Sequence, residues 1–210
     1  MDAQQLKGAR MVQEEHGWVE HVAMLCGSIG VLGASAAGLL KWWRPKGATS
    51  KKVVREYIEG IESIHALQTE MTNAVNDGYC DRSILMFGHN CGGLPSAAEQ
   101  YYISALHWQG TNCGHLKDLQ KIKVDPIFCS MILDLLRNNR VDLVTEEMQP
   151  GILKEIYLSE KVTEAKVFLL GVRDNKLFYI SFSRIECGFR PGDALRLELT
   201  AQRISQIIMR

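Results

Sequence analysis

Hydrophobic and polar positions divide this chain into three stretches with different periods. From Val22 to Leu40 there is no charged residue. Nineteen helical residues rise about 28 Å, close to the hydrocarbon thickness of a bilayer. Trp18 precedes the run and Trp42 and Trp43 follow it, where an interfacial aromatic belt would lie. The pattern predicts a single transmembrane helix over 21–44 behind an N-terminal tail, 1–20. Three alternatives stand beside it, one of them a small holin-like pore segment. A buried soluble helix would have to tolerate Gly27, Gly30, Gly33 and Gly38, each costing about 1 kcal/mol against Ala. A cleaved secretory signal would use Ala34-Ser35-Ala36 as its processing site, but Asp2, Glu14, Glu15 and Glu20 are the wrong charges for its leading region.

The second stretch, 45–76, opens with the polar linker Pro45–Ser50 and becomes helical near Lys51. Val54, Tyr57, Ile61, Ile64, Met71 and Val75 alternate by threes and fours, with polar Gln68 in the same seam. This predicts a juxtamembrane signalling helix, its start pairing between chains and its end packing on a sheet. In the third stretch, 77–210, the period switches repeatedly. The domain's first helix begins at about residue 52. Ser83–Gly88 and Tyr101–Trp108 read as strands, the latter with helix as an alternative. Asp125-Pro126 opens a helix through Arg137, with Asp as cap and Pro at the first helical position. A strand follows at Val141–Thr145 and a short helix at Pro150–Leu158. Lys166–Val172 and Leu177–Phe182 form a hairpin across Arg173–Lys176. A helix over Pro191–Met209 closes the chain. The expected fold class is α+β: one antiparallel sheet with helices packed on one face.

Charge changes this picture in two ways. Lys and Arg total 24 against 24 Asp and Glu, so no global positive field exists to collect a nucleic acid. Locally, Lys41, Arg44, Lys46, Lys51, Lys52 and Arg55 follow the apolar run, whereas only Lys7 and Arg10 precede it. That asymmetry places the C-terminal domain in the cytoplasm, behind a single pass of the inner membrane. The six cysteines (Cys26, Cys80, Cys91, Cys113, Cys129, Cys187) form no CxxC pair and read as reduced thiols. Gly30, Ala34 and Gly38 share one helix face, where small residues let two spans approach closely. The expected partners are therefore the bilayer and a second copy, joined through the span and the signalling helix.

The closing run, with Phe189, Asp193, Leu197, Ala201, Ile204 and Ile207 at helical spacing behind an acidic cap, resembles the end of the GAF fold of sensor domains. The stretch Val124–Thr145 is similar to that family's strand end, helix and short strand. The resemblance covers about residues 52–209. It implies a non-enzymatic regulatory module that binds a small molecule or a regulatory protein. It also implies a ligand cavity walled by Phe87, His89, Cys91, Cys113, His115 and Tyr157. No cyclic-nucleotide motif or bilin-attachment sequence is present, so the cofactor stays unknown. A weaker resemblance is to T-even phage holins, which carry one N-terminal span before a soluble α/β domain. It makes a holin-like lysis regulator the second reading.

Two further chemistries fit the residues. His89-x-Cys91 and Cys113-x-His115 could close a tetrahedral zinc or iron site, although both pairs lie in Gly-rich segments and lack the usual two-to-four-residue cysteine spacing. The bland alternative is ordinary loop and core residues. Cys91, Cys113 and Cys129 also invite comparison with GAF-like thiol reductases, but no orienting Asn or Asp can be assigned by spacing. Gly92–Ser96 lacks the Gly-Lys-Ser/Thr ending of a phosphate loop.

Overall fold

The computed structural model describes residues 48–90, 93–111 and 119–210. A long helix, α1 (Ala48–Asn76), is stopped at Gly78, whose φ of 71° suits a residue without Cβ. Strand β1 (Arg82–His89) follows, then β2 (Tyr102–Gly110) and the two-residue β3 (Ile122–Lys123). Helix α2 (Pro126–Asn138) leads to β4 (Arg140–Val144) and a 3-10 turn at Thr145–Glu147. Helix α3 (Ile152–Ser159), β5 (Val162–Arg173), β6 (Lys176–Ile185) and α4 (Asp193–Ile208) complete the order. The strands form one antiparallel six-stranded sheet in the order β3-β2-β1-β6-β5-β4. Ile58–Arg210 makes up one compact unit, and the described residues up to Tyr57 belong to another.

Helices cover both faces of the sheet, not the single face expected. One core joins Ile84, Met86, Ile103, Val167, Leu177 and Tyr179 to Phe128, Met131 and Leu135 of α2 and to Leu153 and Tyr157 of α3. The other joins Leu85, Phe168, Ile180 and Phe182 to Leu67 and Met71 of α1 and to Leu197, Ala201 and Ile204 of α4. The reason lies in β6. Both parities of Leu177-Phe178-Tyr179-Ile180-Ser181-Phe182 carry apolar residues, so the strand needs cover above and below. β1 follows the same rule, and its burial is nearly continuous.

Local chemistry fixes the joints. Asp125 caps α2 by accepting from Phe128 N at 2.7 Å, while its second oxygen accepts from Ile152 N at 2.8 Å and ties α3 to α2. Both contacts hold its carboxyl below the usual range, the bond from Phe128 most of all. The β5–β6 hairpin turns on Asp174 and Asn175 at φ 51° and 58°, the two-residue geometry that matches strand twist. Asp193, expected as the cap of α4, instead accepts from Arg184 Nη2 at 3.0 Å, and Gly192 occupies the cap position. Arg184 also donates to Asp81 Oδ1 and to the Gly78 carbonyl, clasping α4 to the end of α1.

The expected span over 21–44, with Gly30, Ala34 and Gly38, lies outside the described residues. So do Cys91, Cys113 and His115. Among the described residues, no helix is long and apolar enough to cross a membrane.

Candidate ligand pocket

Even-numbered residues of β1 and odd-numbered residues of β6 point toward α2 and α3. They carry Arg82, Ile84 and Met86 from β1, and Tyr179 and Ser181 from β6. With Met131 of α2 and Leu153 and Tyr157 of α3 they enclose a cavity of about 30 Å³. That volume is close to one water's share of the liquid.

The polar groups around it are unusual for a core. Arg82 is 1% exposed, and its Nη1 donates to Glu160 Oε2 at 2.6 Å. Glu160, 8% exposed, follows the last residue of α3, and its N–H closes that helix on the Ile156 carbonyl. The hydroxyls of Tyr157 and Ser181 lie 3.4 Å apart, longer than a normal O–H···O bond. Among the described residues, Arg82 Nε, Tyr179 Oη and Ser183 Oγ have no hydrogen-bond partner. Ser183 is the register partner of Arg82 across β1 and β6. Burial raises the pKa of Tyr157, against the opposing pull of Ser181 and Arg82, and raises that of Tyr179 well above its ordinary value. Both phenols are therefore neutral hydrogen-bond donors. An unsatisfied buried polar group costs about 1–3 kcal/mol, so this centre holds hydrogen-bonding capacity that its own side chains leave unused.

No family model matches the chain, and no curated protein matches it. Solved structures do. The cyanobacteriochrome receptor PixJ, in a dark and illuminated crystal structure, superposes with a TM-score of 0.51 at 12% identity, over 72% of this chain and 98% of that one. The fold is GAF-like. A GAF domain/HD domain protein from Geobacter sulfurreducens gives a TM-score of 0.49 at 8% identity, over 69% of this chain and 90% of that one. The blue-light-absorbing PixJ GAF domain of Thermosynechococcus elongatus gives 0.49 at 13% identity, over 72% and 85%.

Within this GAF-like domain the residues expected to share a wall are separated. Tyr157 lines the cavity, whereas Phe87 and His89 have the opposite parity on β1 and lie across the sheet from it. There Phe87 stacks on His89 at 4.9 Å and on Phe178 at 6.3 Å, and His89 stacks on Tyr102 at 6.1 Å. His89 Nε2 meets Ser104 Oγ at 3.1 Å, and burial, then Lys121 and Lys176, lower its pKa. Of the quartet His89, Cys91, Cys113 and His115, only His89 is among the described residues, which contain no metal-holding cluster. Cys129, on α2, is exposed.

The residues that sequence reading passed over are Arg82, Glu160, Tyr179, Ser181 and Ser183. One signal was available. Arg82 shares strand parity with Ile84 and Met86, and an arginine in register with a buried face requires a counter-charge. Nothing in the linear order points to Glu160 as that partner, because 78 residues separate the two.

Proposed function

We propose that this chain is a membrane-anchored, non-enzymatic sensor. In this reading its GAF-like domain binds a small ligand in the cavity between the sheet and helices α2 and α3. The observation that carries it is the enclosed polar cluster with unpartnered donors at Arg82, Tyr179 and Ser183. Buried polar groups of this kind are retained where a bound ligand or an ordered water completes their hydrogen bonds, and the ligand is the reading taken here. The uncharged run Val22–Leu40 with its basic C-terminal flank supports a single-pass anchor with the domain in the cytoplasm. Native mass spectrometry of the full chain tests the ligand: a small-molecule adduct is expected in wild type and absent from Ile84→Trp, which fills the cavity. An adduct unchanged by Ile84→Trp refutes the site. Carbonate extraction tests the anchor, since release into the soluble fraction refutes it. Thiol labelling tests the orientation: exposed Cys129 and Cys187 react only after permeabilisation if the domain is cytoplasmic.

The signal leaves through α1. Every residue from Lys51 to Ala66 is exposed. The stripe Val54, Tyr57, Ile61 and Ile64 is 56%, 72%, 53% and 42% exposed and follows heptad spacing. Val53 and Ile58, also exposed, widen it, while Lys52 and Glu56 pair on the outer face at 3.7 Å. The occupant is a second copy of the same helix, because a charge-free stripe is self-complementary. Ligand binding then shifts the pairing of two α1 helices, which join the domain to the span. Sedimentation of the full chain is expected to give a dimer, and Ile61→Asp/Ile64→Asp a monomer. A double variant that stays dimeric refutes this surface.

A further inference from the structure

The polar cluster around the cavity specifies a chemical class. Its obligate donor is the Arg82 guanidinium with Nε unpaired, and the hydroxyls of Tyr179, Tyr157 and Ser181 can each donate as well as accept. The one charged acceptor is the protein's own, Glu160 Oε2 at 2.6 Å from Arg82 Nη1. Arg82 is at 1% exposure and cannot reach water, whereas Glu160 sits at 8%, at the end of α3 and next to exposed Lys161. Both ends of this ion pair are buried, and release of Arg82 needs the Glu160 side chain to swing outward from the end of α3.

We propose that the pocket binds a small monocarboxylate, whose carboxylate replaces that of Glu160 on Arg82 while also accepting from Arg82 Nε and Tyr179 Oη. The exchange keeps the buried charge balanced, because one carboxylate enters as the other leaves. A neutral ligand cannot do this. A phosphate would bring more negative charge than the single guanidinium neutralises. Size follows from the walls: the ligand's carboxylate refills the space Glu160 vacates, so the free cavity of about 30 Å³ limits the tail to a very short aliphatic group against Ile84, Met86 and Met131. Unbranched methionine walls adapt to small differences in that tail. Exchange also removes the brace from the end of α3 to β1, which gives the ligand a conformational consequence. This inference rests on the ligand-pocket reading above and names the ligand's class.

The test titrates the full chain with acetate, propionate and butyrate, and with the matching neutral amides, at constant ionic strength. The readouts are the methyl carbon shifts of Met86 and Met131 and the thermal midpoint. At least one carboxylate is expected to shift both methyls saturably and raise the midpoint, with its amide at least about tenfold weaker. Tyr179→Phe, which keeps the shape, is expected to retain the unliganded fold and to weaken carboxylate binding about tenfold. Glu160→Gln removes the internal competitor and is expected to tighten it. Should Glu160→Gln fail to fold, the Tyr179→Phe result decides alone. Amides binding as tightly as acids would overturn the class yet leave a ligand pocket in place. No methyl response to any acid, or an unchanged affinity in Tyr179→Phe, also overturns the proposal. An adduct lost in Ile84→Trp would still uphold the pocket in either case.

Discussion

Removing Glu160 strands a charge, and the cost can be worked from the structure. In Glu160→Met the Arg82 guanidinium stays 1% exposed and loses the bond of 2.6 Å that neutralises it. Breaking a buried pair by removing one partner costs about 3–5 kcal/mol. Arg82→Met likewise orphans a buried carboxylate and is expected to cost a similar amount, about 3–5 kcal/mol. Arg82→Met/Glu160→Met removes both desolvated charges and fills their space with apolar atoms, so it is expected within about 1 kcal/mol of wild type, or above it. Urea unfolding of the full chain, followed by near-ultraviolet circular dichroism of the packed aromatic residues, measures all four proteins. With a slope of about 1–3 kcal/mol per molar urea, Glu160→Met is expected to lower the midpoint by roughly 2 M at unchanged slope. The reasoning is refuted if Glu160→Met lies within about 1 kcal/mol of wild type. It is also refuted if the double variant is as unstable as Glu160→Met.

Asp125→Ala removes a cap and a tie between two helices and is expected to cost about 1–2 kcal/mol. The folded carboxyl is held low, so the native state binds fewer protons than the unfolded chain. Its contribution is complete above the unfolded value near ~3.9 and is lost as pH falls through the folded one. The acid-unfolding curve of Asp125→Ala should accordingly be flatter in that window, and an unchanged curve would contradict it. At Gly110, φ is +109° and an added Cβ would meet the Asp81 carbonyl oxygen at 2.2 Å. Thermal unfolding of Gly110→Ala is expected to show a loss of about 2–4 kcal/mol, since backbone cannot move aside as a side chain can. Cys80 is buried, and burial pushes its thiol up to about 12, whereas Cys129 and Cys187 are exposed. Peptide mapping after alkylation of the native protein should find Cys129 and Cys187 modified and Cys80 spared until denaturant is added.

Much of the architecture is written locally, which is why it could be read from the sequence. Asp125-Pro126 announces a capped helix, the heptad from Val54 to Val75 announces α1, and Arg173–Lys176 announces the hairpin. Each signal acts within a few residues, through capping, a fixed φ or a repeating face. The order of those signals was enough to suggest a GAF-like sheet. Their failures are equally instructive. The two-residue β3 is too short to show a period, and β5 begins at Val162, four residues ahead of the apolar run. The one-faced sheet failed because two-sided burial shows only when both parities of β6 are counted together.

The composition of the pocket was decided by tertiary structure. Strand parity alone separates Phe87 and His89 from Tyr157, but which parity faces α2 and α3 depends on how the sheet is covered. Arg82 finds Glu160 only because β1 runs beside β6 while β5 carries α3 back over the sheet. Sequence by itself set most of the element order and what each element can bury, since those choices cost or gain free energy within one turn or one pleat. Only the folded sheet decided which buried charges and hydroxyls meet, because a long-range pair is selected by the geometry of the whole layer and leaves no periodic trace along the chain.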